Sequence, residues 1–180
     1  CSKCEQGFYS TAIGAASSTT CNACPPGKKS IVSGANNSDV CLPCALGEMS
    51  GSGATACTYC TVGKFTKNIG AASCIECGVG RYGSNSITCE LCPKGWKRGD
   101  ADKNLTKCVQ CTIGETTEFE GSTTCSKCGF GEYGNEPGNC TSCTGNDHQK
   151  DKGRTFCDPC LDGYTANDKH TDCIKPDYLI

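Results

Sequence analysis

The stretch that decides the fold is CTVGKFTKNIGAASCIEC, residues 60–77, which runs from the second cysteine of one Cys-x-x-Cys pair through the next pair. Gly63 follows Cys60 by three residues, and Gly70 precedes Cys74 by four. Glycine adopts positive φ without strain, so the two glycines predict turns that open and close a loop. Between them, KFT at residues 64–66 predicts a strand of two or three residues, as does RYG at 81–83 in the following unit.

The same unit recurs along the whole chain. Twenty of the 21 cysteines form ten Cys-x-x-Cys pairs, spaced by 15 to 20 residues, which begin at Cys1, Cys21, Cys41, Cys57, Cys74, Cys89, Cys108, Cys125, Cys140 and Cys157. Glycine stands three residues after the second cysteine of nine pairs. The exception follows Cys143, where Gly145 comes one position early. This periodicity predicts one continuous array over residues 1–180 of about ten modules of 15–20 residues, with an atypical spacer at 144–156 and a tail at 174–180.

An aromatic residue follows the turn glycine in many units. The members are Tyr9, Phe65, Tyr82, Trp96, Tyr133 and Tyr164. We expect each of these rings to cover the neighbouring disulfide and to give its module a very small core. No segment has the 3.6-residue apolar periodicity of a long amphipathic helix. The predicted fold class is therefore a small disulfide-rich protein, an elongated rod of tandem modules with short β-strands and little helix.

Composition places the protein outside the cell. A cysteine content this high is typical of secreted disulfide scaffolds, which replace a large hydrophobic core by covalent bonds. Seventeen basic and 19 acidic side chains give a net charge of −2 without a basic stripe, which argues against a nucleic-acid partner. No apolar run of membrane-spanning length is present, so we expect no direct membrane insertion of this segment. The chain begins at Cys1, and we expect it to be a piece of a longer protein.

Two disulfide pairings fit the spacing. In the more economical, staggered one, the second cysteine of each pair bonds the first of the next, which uses every cysteine except Cys1. Its bonds are Cys4–Cys21, Cys24–Cys41, Cys44–Cys57, Cys60–Cys74, Cys77–Cys89, Cys92–Cys108, Cys111–Cys125, Cys128–Cys140, Cys143–Cys157 and Cys160–Cys173. The interleaved alternative joins Cys1 to Cys21 and Cys4 to Cys24, continues in that way, and leaves Cys173 unpaired. Spacing alone does not decide between them.

Zinc is the main chemical rival to disulfides. Two successive Cys-x-x-Cys pairs have the ligand spacing of a tetrahedral four-cysteine zinc site. Such sites favour reducing compartments, and no basic surface accompanies them here. A redox-active Cys-x-x-Cys belongs at the start of a helix in a βαβ unit, which Gly-rich loops do not supply. We therefore predict no metal and no cofactor.

Three Asn-x-Ser/Thr sequons predict N-linked glycans, at Asn36, Asn104 and Asn139. Asn36 and Asn104 lie in the middle of spacers, where a glycan would fit at the surface. At Asn139 the middle residue of the sequon is Cys140, which also has to enter a disulfide.

No catalytic constellation is evident. The stretch DADKN at residues 100–104 resembles the start of a calcium loop, but its sixth and twelfth positions hold Leu105 and Cys111, so a solvated turn is predicted. His148 and His170 lie in polar stretches and are expected at the surface. We predict that the protein is not an enzyme and has no catalytic residues.

The motif Cys-x-x-Cys-x-x-Gly-x-Tyr/Phe, followed by Gly, Ser or Thr and a new pair, resembles the ephrin-receptor-like cysteine-rich repeat, a relative of tumour-necrosis-factor-receptor modules. CIECGVGRYGSNSITCELC from Cys74 and CSKCGFGEYGNEPGNCTSC from Cys125 carry the resemblance most closely. Long arrays of such repeats occur in protist surface proteins. The resemblance implies small disulfide-stapled modules in an extracellular array.

These observations together predict a structural protein at the cell surface or secreted, a segment of a coat, a spacer stalk or a filament. Its expected partners are neighbouring repeats or other copies of itself, and its own glycans. The first alternative is a receptor-type ectodomain that binds a protein ligand, for which the charged stretch 146–154 is the candidate surface. The second alternative is the four-cysteine zinc scaffold.

Overall fold

The computed structural model describes residues 3–12 and 20–176. A 3₁₀ helix covers Ser38–Val40, and short strands make up the rest of the regular elements that the structure describes in full. The strands are β1 (Phe8–Tyr9), β2 (Asn22–Ala23), β3 (Lys28–Lys29), β4 (Leu42–Pro43), β5 (Glu48–Met49), β6 (Thr58–Tyr59), β7 (Lys64–Phe65), β8 (Ile75–Glu76), β9 (Arg81–Tyr82), β10 (Glu90–Leu91), β11 (Trp96–Lys97), β12 (Val109–Gln110), β13 (Glu115–Thr116), β14 (Ser126–Lys127), β15 (Glu132–Tyr133), β16 (Thr141–Ser142), β17 (Asp147–His148), β18 (Asp158–Pro159), β19 (Thr165–Ala166) and β20 (Cys173–Ile174).

Consecutive strands pair into ten two-stranded sheets, β1 with β2 through β19 with β20. The pairing is antiparallel, as in Lys64 opposite Glu76 and Phe65 opposite Ile75. The strands predicted at residues 64–66 and 81–83 are confirmed as β7 and β9. The chain is thus a small disulfide-rich repeat array, the predicted class.

Ten disulfides close the repeats, and they join the same cysteines as the staggered pairing. Their loops span 12 to 17 residues. We number the repeats 1 to 10 in the order of these bonds, from Cys4–Cys21 to Cys160–Cys173. The predicted unpaired cysteine, Cys1, lies outside the described residues, as does the end of the predicted tail.

The repeats fall into two compact units. The first comprises residues 1–78, 82–90 and 104–106, and the second comprises 79–81, 91–103 and 107–180. Each unit is a series of similar hairpin repeats. None of the described helices has the length and apolar character needed to cross a membrane.

Repeat 4 illustrates how the sequence builds one hairpin. The N–H of Lys64 donates to the carbonyl of Thr61 at 3.0 Å and closes a tight turn. Gly63 occupies the third position of that turn with φ of 89°, where only glycine avoids strain. The carbonyl of Gly63 then accepts from the N–H of Cys77 at 2.9 Å, which ties the turn to the following Cys-x-x-Cys pair. The turn glycine therefore sets the position of the next cysteine.

The buried apolar part of repeats 1 to 9 is mainly their disulfides. Among the described residues, the buried apolar side chains are eleven cysteines and Ala35. The aromatic rings are less buried than a core would require, since five of the six are partly exposed and Tyr164 is 44 % exposed. A large hydrophobic core therefore does not hold this fold, and covalent loops stabilise it instead.

A polar position, six residues after the second cysteine, is buried in repeat after repeat. It holds Ser10, Ser30, Ser50, Thr66, Arg98, Thr117 and Gln149, all at most 9 % exposed. Each buried side-chain nitrogen or oxygen among the described residues has a hydrogen-bond partner. Burial of these groups therefore depends on the contacts that successive repeats make.

Three backbone hydrogen bonds recur between successive repeats. The N–H of the turn glycine donates to the carbonyl of the buried polar residue in the next repeat. The N–H of a buried polar residue donates to a loop carbonyl of the repeat that follows its own. The N–H of the loop glycine donates to the carbonyl of the first cysteine in the preceding repeat. Between repeats 2 and 3 the bonds are Gly27 N–H to Ser50 O (2.8 Å), Ser30 N–H to Ala54 O (3.1 Å) and Gly53 N–H to Cys24 O (2.8 Å). The array is therefore joined by hydrogen bonds as well as by peptide bonds.

The turn glycines also contact the second repeat along. A Cβ placed on the glycine would overlap a loop carbonyl of the repeat two further on, and the pairs are Gly7 with Gly53, Gly27 with Gly70, Gly80 with Gly121, Gly95 with Gly138, Gly114 with Gly153 and Gly131 with Lys169. This close approach of two backbones is a second physical reason for glycine at this position, in addition to the positive φ of the turn.

Thr66→Val tests the buried polar position. The Thr66 hydroxyl accepts the N–H of Gly47 in repeat 3 at 2.9 Å, and both groups are buried. Valine has nearly the same shape but leaves the Gly47 N–H unpaired, so we expect a loss of about 1–3 kcal/mol in the free energy of unfolding. Chemical denaturation without reductant measures it. Thr66→Ser should keep most of the stability, and the exposed Thr112→Val should change it by less than about 0.5 kcal/mol. Equal stability of Thr66→Val and the wild type would contradict the assignment.

Candidate functional site

The three sequon asparagines are exposed, as a glycan would require. The Asn104 side-chain oxygen accepts from the N–H and the hydroxyl of Thr106, at 2.9 and 2.7 Å. Cys140, the middle residue of the Asn139 sequon, bonds Cys128. Glycosylation at Asn36, Asn104 and Asn139 stays a prediction.

The two histidines do not lie freely at the surface, so that expectation is wrong. Both rings are partly buried in unit 2. His148 Nδ1 is 2.9 Å from the carbonyl oxygen of Asp158, and His170 Nδ1 is 2.8 Å from that of Asp147. His170 also has a positive φ of 53°, which is uncommon outside glycine. The polar sequence around them gave no sign that repeats 9 and 10 would enclose them.

His148 lies against the disulfide of repeat 10. Its Nδ1 atom is 3.1 Å from Cys173 Sγ and 3.9 Å from Cys160 Sγ. His148 and Cys173 also line a surface pocket together with Pro159, Leu161 and Tyr164. His148, Cys160 and Cys173 form a histidine–disulfide cluster. Sequence reasoning missed it, because 12 and 25 residues separate His148 from Cys160 and Cys173.

The irregular repeat 9 owes its geometry to Asn146, which stands where the turn glycine stands elsewhere. The positive φ moves one residue earlier, to Gly145. The Asn146 side chain then accepts the N–H of Ala166 at 2.9 Å and donates to the carbonyl of Tyr164 at 3.2 Å. Asn146 thus holds repeat 10 with a side chain. The atypical spacer predicted from the sequence is therefore a connection to the last repeat.

Metal ligation by cysteine needs thiolates. The twenty described cysteines are all disulfide-bonded, so the described part of the chain has no thiolate set for the predicted alternative of a four-cysteine zinc site. His148, Cys160 and Cys173 are close enough to surround a metal ion. Two of these three ligands are joined as a disulfide, however, which removes their thiolate character.

The stretch 146–154 presents most of its charged side chains to solvent, since Lys150, Asp151, Lys152 and Arg154 are exposed. Gln149 is fully buried, and its side chain donates to the carbonyl of Phe156 at 2.8 Å. The ammonium of Lys152 is 4.9 Å from the centre of the Phe130 ring, and the Arg154 guanidinium is 5.4 Å from that of Phe156. We call these four side chains the basic–aromatic patch. Both phenylalanines are more than half exposed.

The stretch 100–104 begins with a turn, as predicted, which the N–H of Asp102 closes by donating to the carbonyl of Gly99 at 3.1 Å. Asp102 accepts the N–H of Gly99 at 2.8 Å and pairs with Lys97 at 3.5 Å. The hydrogen bond from Gly99 is the largest effect and lowers the pKa of the Asp102 carboxyl below its ordinary value; burial opposes it, and the charge of Lys97 adds a smaller lowering effect. Asp102 therefore stabilises a turn within its own loop.

A second carboxylate, Glu90, bridges its hairpin. Ser84 and Tyr82 each donate a hydrogen bond to it at 2.8 Å. The hydrogen bond from Ser84 lowers the pKa of Glu90 most, and the hydrogen bond from Tyr82 lowers it further. The Glu90 carboxylate in turn raises the pKa of the Tyr82 hydroxyl.

Because its pKa is lowered on folding, ionised Glu90 stabilises the folded state above the ordinary glutamate pKa. That contribution is lost as the pH falls through the lowered pKa. We expect Glu90→Gln to be less stable than the wild type at neutral pH and equally stable in strong acid, as measured by urea unfolding over that range. The pKa of Asp102 is also lowered, so its effect on stability changes with pH in the same direction. Asp102 is present in both proteins, so the difference between their free energies of unfolding at each pH reports on Glu90 alone. Curves that stay parallel into acid would contradict this.

An exposed apolar residue precedes the turn glycine in five repeats, which sequence reasoning also missed. These turn-tip residues are Leu46, Val62, Val79, Ile113 and Phe130, 44–56 % exposed. Turn tips normally carry polar residues that water can solvate. The apolar residues contribute little to the buried part of their own repeats, so the fold does not account for them.

Comparison with protein families matches residues 47–86 to the family described as tyrosine-protein kinase ephrin type A/B receptor-like. The match covers most of repeats 3 to 5, including CIECGVGRYG from Cys74. It confirms the resemblance to ephrin-receptor-like repeats for this segment. Comparison with curated protein sequences gives no match.

Proposed function

We propose that the chain is an extracellular structural segment of a coat, spacer stalk or filament, because residues 47–86 match the ephrin-receptor-like family and the same disulfide register continues through the ten described repeats. Disulfides of this density form and persist in oxidising, extracellular environments. The role is mechanical rather than catalytic: the segment holds a fixed length of chain between other parts of an assembly.

The observation that carries the proposal is the covalent path along the array. The second cysteine of each Cys-x-x-Cys pair bonds the first cysteine of the next pair, so each disulfide bypasses a whole loop. Between one bond and the next, only the two x residues of a Cys-x-x-Cys remain outside a loop. A pulling force is therefore carried by disulfides and short links, and the loops are shielded from it.

Single-molecule stretching of the chain between marker domains tests this mechanism. Without reductant, we expect no lengthening steps of loop size. With reductant, each opened disulfide should release 12 to 17 residues, or about 35–50 Å at about 3.4 Å per residue less the distance that the bond had spanned. The Cys44→Ala/Cys57→Ala variant is the matched control, because it should show one such step before reduction. Loop-sized steps in the oxidised wild type would overturn the mechanism.

Location needs a separate test. Antibody labelling of the producing cells without permeabilisation should reach the protein, or the medium should contain it. Labelling only after permeabilisation, together with free thiols in the isolated protein, would contradict an extracellular role.

The turn-tip residues support assembly with other copies. Exposed aliphatic side chains at a repeated position lower the free energy when a second surface covers them. Replacing Leu46 and Val62 by serine should weaken any self-association that sedimentation detects at high concentration, and should leave the disulfides intact. The exposed Thr55→Ser is the matched surface control.

The basic–aromatic patch favours a second candidate, a receptor-type ectodomain with an acidic protein ligand. Cations held over exposed rings are a common arrangement at binding surfaces. This function predicts that Lys152→Glu with Arg154→Glu abolishes attachment of the protein to cells, and that Lys28→Glu with Lys29→Glu in repeat 2 does not. If both variants attach to cells equally, the receptor function is contradicted and only the structural role remains.

A further inference from the structure

We propose that the disulfide of repeat 10 is a thiol-exchange site: an external thiol opens it at Cys160, and His148 stabilises the thiolate that leaves at Cys173. The partner is defined by its chemistry, a low-molecular-weight or protein thiol. The other nine disulfides are the permanent ones.

The tautomer of His148 follows from its contacts. A carbonyl oxygen only accepts hydrogen bonds, so Nδ1, at 2.9 Å from the oxygen of Asp158, carries a proton. The same N–H group is 3.1 Å from Cys173 Sγ. A hydrogen-bond donor therefore already lies beside one sulfur of the bond. Such a donor stabilises a thiolate more than it stabilises a disulfide, because the thiolate carries the charge.

The two sulfurs are not equivalent. Cys160 Sγ is farther from the imidazole, at 3.9 Å. Exchange is fastest when the departing sulfur is the better leaving group, and a hydrogen bond to Cys173 makes it so. Attack is therefore directed to Cys160.

Access also distinguishes Cys160 from the corresponding cysteines. The first cysteine of each of repeats 1 to 9 is buried, with at most 6 % of its surface exposed. Cys160 is partly exposed. The pocket beside His148 and Cys173 is lined by Pro159, Leu161 and Tyr164, with Leu161 79 % and Tyr164 44 % exposed. An incoming thiol can therefore reach this disulfide at the partly exposed Cys160, whose sequence neighbours Pro159 and Leu161 line the pocket beside Cys173.

The chemistry balances with the thiol as the only co-reactant. The thiolate of R–SH attacks Cys160 Sγ, the R–S–S–Cys160 bond forms, and the Cys160–Cys173 bond breaks. The electron pair of the broken bond goes to Cys173, which accepts the hydrogen bond of His148 and takes up the proton that R–SH released. A second thiol can then free Cys160 as a thiol and leave as R–S–S–R, so that two thiols are oxidised and one disulfide is reduced.

No other disulfide among the described residues has this arrangement. The sequence contains two histidines, and the other one, His170, directs its Nδ1 to the carbonyl of Asp147. Repeats 9 and 10 also hold the departures from the regular pattern, Asn146 in place of the turn glycine and the positive φ of His170.

The experiment is timed exposure of the folded protein to glutathione at fixed pH, followed by alkylation and peptide mass spectrometry. We expect Cys160–Cys173 to open at least tenfold faster than any other pair, with glutathione first found on Cys160. Similar rates for all ten pairs, or first attachment at Cys173, would overturn the proposal.

Variants at position 148 separate the hydrogen bond from simple exposure. His148→Leu should slow opening of this bond five- to tenfold, whereas His148→Asn, which keeps an N–H donor near the place of Nδ1, should retain most of the rate. His170→Asn is the control in the neighbouring loop. Loss of folding in His148→Leu would speed opening instead of slowing it, so the two effects differ in sign. An unchanged rate in His148→Leu would also overturn the proposal.

Discussion

Replacing Gly27 by alanine is expected to cost about 2–5 kcal/mol of the free energy of unfolding, the largest effect of any single substitution considered. Gly27 has φ of 83°, which costs an alanine about 1–2 kcal/mol. In addition, the new Cβ would overlap the carbonyl group of Gly70, whose carbon is 2.5 Å from that position. Relief would require the loop of repeat 4 to move, which breaks the 2.8 Å bond from Gly70 N–H to Cys44 O, and overpacking of this kind adds about 1–3 kcal/mol.

Gly163→Ala is the matched control, because its φ of 84° is nearly identical and no atom lies within 4 Å of the added Cβ. It should cost only the backbone part, about 1–2 kcal/mol. Gly51→Ala, which has neither a positive φ nor a neighbour, should be nearly neutral. Calorimetric unfolding without reductant measures all three. If Gly27→Ala and Gly163→Ala are equally stable, the contact between alternate repeats does not stabilise the fold.

Removing the disulfide of repeat 3, as Cys44→Ala/Cys57→Ala, is expected to cost about 3 kcal/mol in the chain-entropy model for a loop of this length. Its loop has a sequence separation of 13 residues. The same loop supplies the Gly53 N–H bond to Cys24 O and the contact with Gly7. The damage should therefore spread to repeats 1 and 2 by lost contacts.

Hydrogen exchange with mass spectrometry locates the damage. We expect amide protection to fall in repeats 1 to 4 and to stay unchanged in repeats 8 to 10, since units that touch only near neighbours transmit instability over short distances. Thr55→Ala, in the same loop and exposed, should leave protection unchanged throughout. A uniform loss of protection along the whole chain would contradict neighbour-limited coupling.

Much of the fold followed from local chemistry. The short strands at KFT and RYG and the turn glycines concern residues of one repeat, whose cysteines are at most 17 positions apart, whereas the cysteine spacing left two pairings open. At such separations, chain geometry leaves few choices, because a short loop can close in few ways. The turn at Asp100–Ala101 belongs to the same class.

The candidate site was less accessible to prediction. The histidine–disulfide cluster joins residues from two repeats, and the polar residues around His148 predicted exposure. The buried position occupied by Ser30, Thr66 or Arg98 was missed for a related reason, since serine, threonine and arginine are usually exposed. The turn-tip residues were missed because single exposed apolar residues carry no pattern until the turns are placed.

The cysteine spacing and the turn glycines were enough to predict a tandem array of small disulfide-closed loops, because both act within one repeat. The folded structure was needed to show why those glycines accept no side chain, which polar residues are buried, and which histidine contacts a disulfide. Each of these depends on backbone brought together from different repeats. Gly27 illustrates the difference. Its turn could be predicted from the residues next to it, whereas its contact with Gly70 forms only when repeats 2, 3 and 4 pack together.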